Sequence, residues 1–177
     1  MGVYAGTPIA AVAQRAGVSP ETVYLSFGGK RGLLERVIHR AIAGADEPAE
    51  DGRARWTALA GQGTPRERLE QMIEFSCEIL ARTGPIHLVI RGAADKEAFA
   101  AELGSRLLRE RLASQIERVR ICLRDDLRPG LSVAEAGQRY CALTSPELYH
   151  LLTVELGWIP EQHRRWLNEL LATELLT

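Results

Sequence analysis

The sequence has few cysteines and few aromatic residues, and it contains no long hydrophobic run. Its three cysteines, Cys77, Cys122 and Cys141, are widely spaced and match no zinc or redox motif. We therefore expect reduced thiols, no metal site and no cofactor, as is usual in the cytoplasm. No apolar run approaches the roughly eighteen residues that cross a membrane, and no signal-peptide pattern opens the chain. These absences favour a cytoplasmic protein without a membrane partner.

Alternating β-branched residues between turn signals, the pattern of strands, are also missing. Helix-start signals recur instead: a hydroxyl before proline at Thr7-Pro8, Ser19-Pro20 and Ser145-Pro146, and capping boxes at 64–67 and 132–135. The sequence therefore predicts an all-α fold. The expected helices lie near 8–16, 20–27, 30–44, 65–83, 86–93, 96–125, 132–144, 146–157 and 160–176.

Two places interrupt this helical pattern. Residues 45–63 are rich in Gly, Asp, Glu and Ala and predict a mobile connection with at most one short turn. Gly104 predicts a bend within the long segment 96–125, because glycine weakens a helix interior.

Charge is distributed unevenly along the chain. Residues 1–44 carry five basic and two acidic residues, a net charge of +3, whereas the remainder carries a net charge of −4. A basic front on an acidic body is typical of a DNA reader attached to another domain. We therefore divide the chain into a DNA-binding domain, 1–44, and a second domain, 45–177, for effector binding and dimerisation.

The first predicted helix has the features of the leading helix in a helix-turn-helix unit. Ile9, Val12, Ala13 and Ala16 share one face at helical spacing. The turn at 17–19 then supplies glycine to end the helix, valine to plug the corner and serine to cap the next helix.

The second predicted helix, 20–27, is short and has a polar outer face. Val23 and Phe27 point inward at i and i+4, while hydroxyl-bearing and aromatic residues occupy the outer positions. Such side chains and a helix start suit contact with phosphates and entry into a major groove.

The segment AVAQRAGVSPETVYLSFGGKRGLL is similar to the signature of the TetR (tetracycline-repressor) family. The resemblance implies a homeodomain-like helix-turn-helix with phosphate contacts from Thr7, Thr22, Tyr24 and Lys30, and base contacts from Ser19, Pro20 and Glu21. Ser26 stands where the family often has histidine, which implies a weaker contact there.

Family members carry one further helix before the position of Val3-Tyr4. We expect the DNA-binding domain to lack this helix, because the sequence begins at Met1. Its absence predicts that four apolar residues of the remaining helices are uncovered: Ile9, Val12, Phe27 and Leu34.

The resemblance further implies a helical-bundle domain that dimerises and senses a small molecule. Leucine-rich stripes on the last two helices predict the homodimer interface, formed by Leu148, Leu151, Leu152, Leu156, Trp166, Leu167, Leu170 and Leu171. Semi-polar residues on apolar helices are the candidates for effector binding: Cys77, His87, Arg91, Cys122 and Tyr140.

The favoured function is a ligand-responsive repressor that binds a near-palindromic DNA operator as a homodimer. One alternative is a dimeric sensor or interaction protein that no longer binds DNA. The other is an all-α enzyme using Glu74 with Glu78, or Glu147 near His150. A di-iron bundle needs two E-x-x-H motifs, and only Glu147 to His150 supplies one, so we expect no enzyme.

Overall fold

The computed structural model describes residues 6–43 and 51–177, and their secondary structure is almost entirely helical. Three helices form the front of the chain: α1 (Ile9–Ala16), α2 (Pro20–Phe27) and α3 (Lys30–Ala43). The body contains α4 (Asp51–Ala60), α5 (Pro65–Ala94), α6 (Ala98–Leu123), α7 (Val133–Leu143), α8 (Pro146–His150) and α9 (Pro160–Leu175). Residues 6–43 and 51–177 hold no sheet, only one isolated bridge between Leu127 and Leu176. The predicted all-α fold is confirmed.

Local signals explain where most helices begin. Thr64 and Ser132 form capping boxes with Glu67 and Glu135, so each side chain satisfies an otherwise unpaired amide of the first turn. Ser145 accepts from the amide of Leu148 to start α8. Thr7 makes no such cap, because α1 begins one residue later than predicted, with Pro8 at its N-cap position.

The predicted connection at 45–63 is wrong where the structure describes it. Residues 51–60 form α4, and its Trp56 and Leu59 are buried in the main core beside α6. Two large apolar side chains one helical turn apart are enough to dock a short helix when a partner surface is available. Residues 44–50 of the predicted connection lie outside the described residues.

The predicted break near Pro85 is also wrong. Helix α5 runs through Pro85 to Ala94, where the sequence predicted two helices. Proline removes one backbone hydrogen bond, but buried residues on both sides, including Leu80 and Ile90, hold the helix against its neighbours. Helix α6 likewise passes through Gly104 without interruption.

The body has one large core between α4, α5, α6, α7 and α9. Its fully buried residues include Leu69, Ile73, Val119, Leu171 and Leu175. Helix α7 crosses α6 closely at Gly137, where a Cβ would lie 2.5 Å from a side-chain carbon of Ile116. A residue larger than glycine would therefore push these two helices apart. No helix in the described ranges is both long and apolar enough to span a bilayer.

Candidate DNA-binding segment and ligand cavity

The turn between α1 and α2 has the geometry that its sequence predicts. Gly17 has φ +69°, a left-handed conformation that suits glycine, and its amide bonds back to the end of α1. Ser19 Oγ accepts from the amide of Thr22 at 3.2 Å and so caps α2. Pro20 occupies the first helical position, where its missing N–H costs nothing. Val18 is 42% exposed, so it does not plug the corner as predicted.

The outer face of α2 is exposed and ready for contact with another molecule. Glu21, Thr22, Leu25 and Ser26 are all exposed, and Tyr24 is 56% exposed. The Tyr24 ring lies beside Gly29, where a Cβ would approach it to 3.5 Å. Hydrogen bonds from its own backbone amide and from Ser19 lower the pKa of Glu21. Its carboxylate is therefore charged at neutral pH.

Helix α3 begins at Lys30, as predicted, and packs tightly on the end of α2. At Gly32 a Cβ would lie 1.9 Å from the carbonyl oxygen of Phe27, so only glycine fits there. Lys30 and the outer face of α2 are thereby fixed relative to each other. Thr7 is partly buried just before α1.

The four apolar residues predicted to be uncovered are not exposed. Ile9 and Leu34 are buried, at 7% and 8% exposure, and Val12 and Phe27 are partly buried. Ile9 packs with Ala13 and Val23 in a small front cluster. Leu34 is covered from the body instead, because α3 lies against α5 and α6.

Helix α3 is the physical link between the front and the body. Leu34 and Ile38 pack with Ile90, Leu103 and Leu107 from α5 and α6. Polar contacts border this cluster: Arg106 donates to Glu35 at 3.2 Å, and Arg82 donates to the carbonyl oxygen of Ala41 at 3.2 Å. A shift of α5 or α6 is therefore transmitted to α3.

A cavity of about 260 Å³ opens inside the body and reaches α3. Its apolar wall includes Leu80 and Leu107, and α3 contributes His39 and Ile42. Its polar lining comes mainly from α5 and α6: Ser76, Thr83, His87, Glu110, Arg111, Ser114, Gln115 and Arg118. A more open groove of about 620 Å³ adjoins it, and His87 and Arg111 line both. An apolar cavity with a few polar anchors suits a small-molecule ligand.

Only part of the predicted effector set lines the cavity. His87 does, and burial lowers its pKa, which favours the neutral imidazole. Arg91 lies in the open groove and pairs with Glu147 at 3.2 Å. Tyr140 is fully buried behind the wall, where its hydroxyl bonds Ser76 at 2.9 Å.

The two cysteines in that set lie away from the cavity. Burial raises the pKa of Cys77 to about 11, and its sulfur contacts His163 Nδ1 at 3.7 Å. Cys122 is buried in the core and donates to the carbonyl oxygen of Trp56 at 3.6 Å. The prediction of an effector role is therefore wrong for Cys77 and Cys122 as lining residues.

Arg118 is a lining residue that the sequence pattern did not single out. It is only 6% exposed, and its guanidinium carbon lies 4.3 Å from the ring centre of Trp56. Its Nη1 donates to Ser76 Oγ at 3.1 Å, while its Nε has no partner among the described residues. Its spacing from Arg111 and Gln115 on one face of α6 was the available sequence signal.

The leucine stripes are divided between the core and the surface. Leu152, Leu167 and Leu171 are buried within the protomer, so their predicted place at a dimer interface is wrong. Leu148, Trp166 and Leu170 are partly buried. Leu151 and Leu156 are 41% and 60% exposed, and two further exposed apolar residues, Val154 and Ile159, lie beside them in the sequence.

The residues considered for catalysis do not converge. Glu147 pairs with Arg91, whereas His150 lies 3.6 Å from Glu155. In the part of the chain that the structure describes, no three His, Cys, Asp or Glu side chains are grouped as metal ligands.

The fold and the front segment define an all-α protein with an N-terminal helix-turn-helix unit. Residues 4–37 match the family model of the tetR family of bacterial regulatory proteins. Among curated proteins, no sequence matches the chain significantly.

Solved structures share the fold over almost the whole chain. A protein from Rhodococcus sp. assigned to the TetR-family transcriptional regulators is 20% identical with a TM-score of 0.65, covering 96% of this chain and 88% of its own. NalD of Pseudomonas aeruginosa, the secondary repressor of the MexAB-OprM multidrug efflux pump, is 18% identical with a TM-score of 0.67, covering 98% and 87%. A structure that explains the control of antibiotic production by bacterial hormones is 19% identical with a TM-score of 0.60, covering 98% and 89%.

The matched segment and the shared fold together assign this chain to the TetR family. It has the N-terminal DNA-binding segment and the helical body of a TetR-family transcriptional regulator.

Proposed function

We propose that the chain is a cytoplasmic, ligand-responsive repressor that acts as a homodimer on a near-palindromic DNA operator. The observation that carries this proposal is the position of α3. Its first residue, Lys30, lies beside the exposed face of α2, and its later residues His39 and Ile42 form part of the cavity wall. One rigid helix thus contacts both the proposed DNA surface and the proposed ligand.

The proposed DNA surface is the exposed face of α2 with the start of α3. Thr22, Tyr24 and Lys30 supply donors for phosphates, and the helix start at Ser19 presents Glu21 to base edges. Two such helices related by a dimer axis enter successive major grooves when the half-sites are about 34–36 Å apart, or a multiple of that distance. We place the boundary between the DNA-binding domain and the body at residue 44.

The proposed dimer surface is the exposed corner that follows α8. It is formed by Leu151, Val154, Leu156 and Ile159 and is bordered by the partly buried Leu148, Trp166 and Leu170. A π-helical turn at Leu151–Glu155 turns this part of the chain outward. Exposed apolar patches of this kind mark interaction surfaces, and two apolar helices from each protomer build a four-helix interface.

Ligand release requires that the two arrangements of α3 bind the ligand with different affinity. A molecule that fills the cavity pushes on His39 and Ile42 and on the α5 and α6 residues beneath Leu34 and Ile38. The resulting shift of α3 changes the spacing of the two recognition helices. Operator affinity then falls by the coupling free energy between the sites, about 1–3 kcal/mol in typical systems.

Substitution of Lys30 tests the DNA surface. The probe is the duplex selected by the dimer from a random-sequence pool, compared with unrelated duplex of the same length. Lys30→Ala should weaken both by a similar factor and lower the salt slope by about one unit for each phosphate that is no longer neutralised, or about two per dimer. Arg109→Ala, which removes an exposed cation from α6, is the control. An unchanged salt slope in Lys30→Ala would contradict the docking surface.

Substitution of Leu151 tests the dimer surface. A charge at this position would have to be buried against the partner protomer, which is strongly unfavourable. Leu151→Glu should therefore sediment as a monomer at micromolar concentration, while Leu108→Glu, an exposed leucine on α6, should remain dimeric. A dimer in both variants would place the interface elsewhere.

A further inference from the structure

Three polar residues of α6 face the cavity from one side of the helix. Arg111, Gln115 and Arg118 are spaced at i, i+4 and i+7, which places them on the same face. All three line the cavity, and each has a polar atom without a hydrogen-bond partner in the described residues: Arg111 Nε, Gln115 Oε1 and Arg118 Nε. Unsatisfied buried groups of this kind require an explanation.

The charge of Arg118 is buried without a carboxylate. Trp56 and Phe75 lie 4.3 and 5.2 Å from its guanidinium carbon, and stacking against them leaves the in-plane donors available. One of those donors bonds the neutral Ser76 hydroxyl at 3.1 Å. No Asp or Glu in the described residues lies within ion-pair distance of Arg118. A buried cation normally has an anionic partner.

Neighbouring groups leave the cavity positively charged. Arg111 donates to the carbonyl oxygens of Cys141 and Thr144 at the end of α7, which are neutral acceptors. Glu110 is the carboxylate in the lining, and it lies 3.8 Å from Arg106 on the exposed side of α6. Two guanidinium groups therefore face the cavity while its one lining carboxylate is engaged elsewhere.

The size and the remaining lining narrow the ligand class. A cavity of about 150 Å³ holds benzene, and this one measures about 260 Å³. Its apolar wall includes Ile79, Leu80 and Leu107. An aromatic or short aliphatic group with one carboxylate fits this volume, and a hydroxyl on it would supply the donor that Gln115 Oε1 lacks.

We propose that the ligand of this cavity is a small organic carboxylate whose anionic group is bound by Arg118 and Arg111 and whose donor bonds Gln115. This assignment rests on the proposed function, since it names the chemical class of the regulating ligand. The predicted anion-binding role passes from Arg91, which pairs with Glu147 outside the cavity, to the buried arginines of α6.

Direct binding in the absence of DNA tests the proposal. The probes are 4-hydroxybenzoate and its uncharged counterpart 4-hydroxybenzamide, measured by calorimetry and by the fluorescence of Trp56 against Arg118. The carboxylate should bind the wild-type protein at least about tenfold more tightly than the amide. Arg118→Met should remove this preference, while Arg109→Met, on the exposed side of the same helix, should retain it.

A second variant keeps the test decisive if Arg118→Met fails to fold, as judged by circular dichroism. Arg118→Lys retains the charge without the planar fork, so carboxylate affinity should fall while the preference over the amide persists. Equal affinity for acid and amide in the wild-type protein would overturn the proposal, as would no binding of either up to about 10 mM. Operator binding and its weakening in Lys30→Ala are measured without ligand, so the proposed function would survive that result.

Discussion

The front of the chain and the body differ sharply in how much apolar surface they bury. The front cluster has three buried residues, Ile9, Ala13 and Val23, with Phe27 and Leu33 packed around them. The main core of the body contains thirteen buried residues from five helices. Since stability rises with the fraction of surface buried, three short helices cannot form a stable unit alone.

The front therefore obtains its shape and its stability from different sources. Its shape is local, because Gly17, Ser19 and Gly32 fix the turn and the contact of α2 with α3. Its stability comes from the docking of Leu34 and Ile38 on the body. A DNA-binding unit held in this way responds to changes in the body without unfolding it, which is what ligand control requires.

The largest expected effect follows from removing the side chain that joins the two regions. Leu34→Ala should cost about 2–5 kcal/mol, the usual range for a buried leucine, and the destabilisation should fall on the front. Hydrogen exchange should show faster opening of α1 and α2 while α9 retains its protection. Leu25→Ala, which truncates a leucine that is 89% exposed, is the matched control. An equal decrease of protection in α9 would show that the two regions unfold as one unit.

Local signals made the front predictable from sequence. Caps and left-handed glycines act within a few residues of their own position, so Ser19, Gly17 and the capping boxes of α5 and α7 predict helix boundaries correctly. The recognition helix and the start of α3 at Lys30 followed from the same signals.

The body was less predictable because its features depend on distant partners. A leucine stripe cannot reveal which of its members face the protomer core, and so Leu167 and Leu171 were placed on the surface although they are fully buried. Burial in an assembled cavity is equally invisible in the sequence. Arg118 resembles an ordinary solvated helix residue until Trp56 and Phe75 are brought against it.

A second expected effect concerns pH and belongs to the body. His163 is fully buried beside Tyr149 and Cys77, and burial lowers its pKa. In the unfolded chain histidine binds a proton near its ordinary pKa of about 6.5. The unfolded state therefore binds more protons below that pH, and the free energy of unfolding should fall as the pH decreases.

Urea unfolding between pH 5 and 7.5, followed by tryptophan fluorescence, checks this expectation. All three tryptophans lie in the body, so the signal reports that region. The slope from one histidine is at most about 1.4 kcal/mol per pH unit. His163→Phe should flatten the slope, and the part that remains is assigned to His87, whose pKa burial also lowers. A slope unchanged in this variant would show that His163 does not contribute.

The smallest expected effect compares the same substitution in the two regions. Ile9 lies in the front cluster and Ile73 in the main core, and replacing either by valine removes one methylene group at a cost of about 0.5–1.5 kcal/mol. Ile73→Val should lower the urea midpoint reported by tryptophan fluorescence. Ile9→Val should leave that midpoint unchanged and speed hydrogen exchange only in α1 and α2, because the front opens before the body does. Equal midpoint shifts in the two variants would mean that front and body share one cooperative transition, and control of DNA binding would then require movement of the whole protomer.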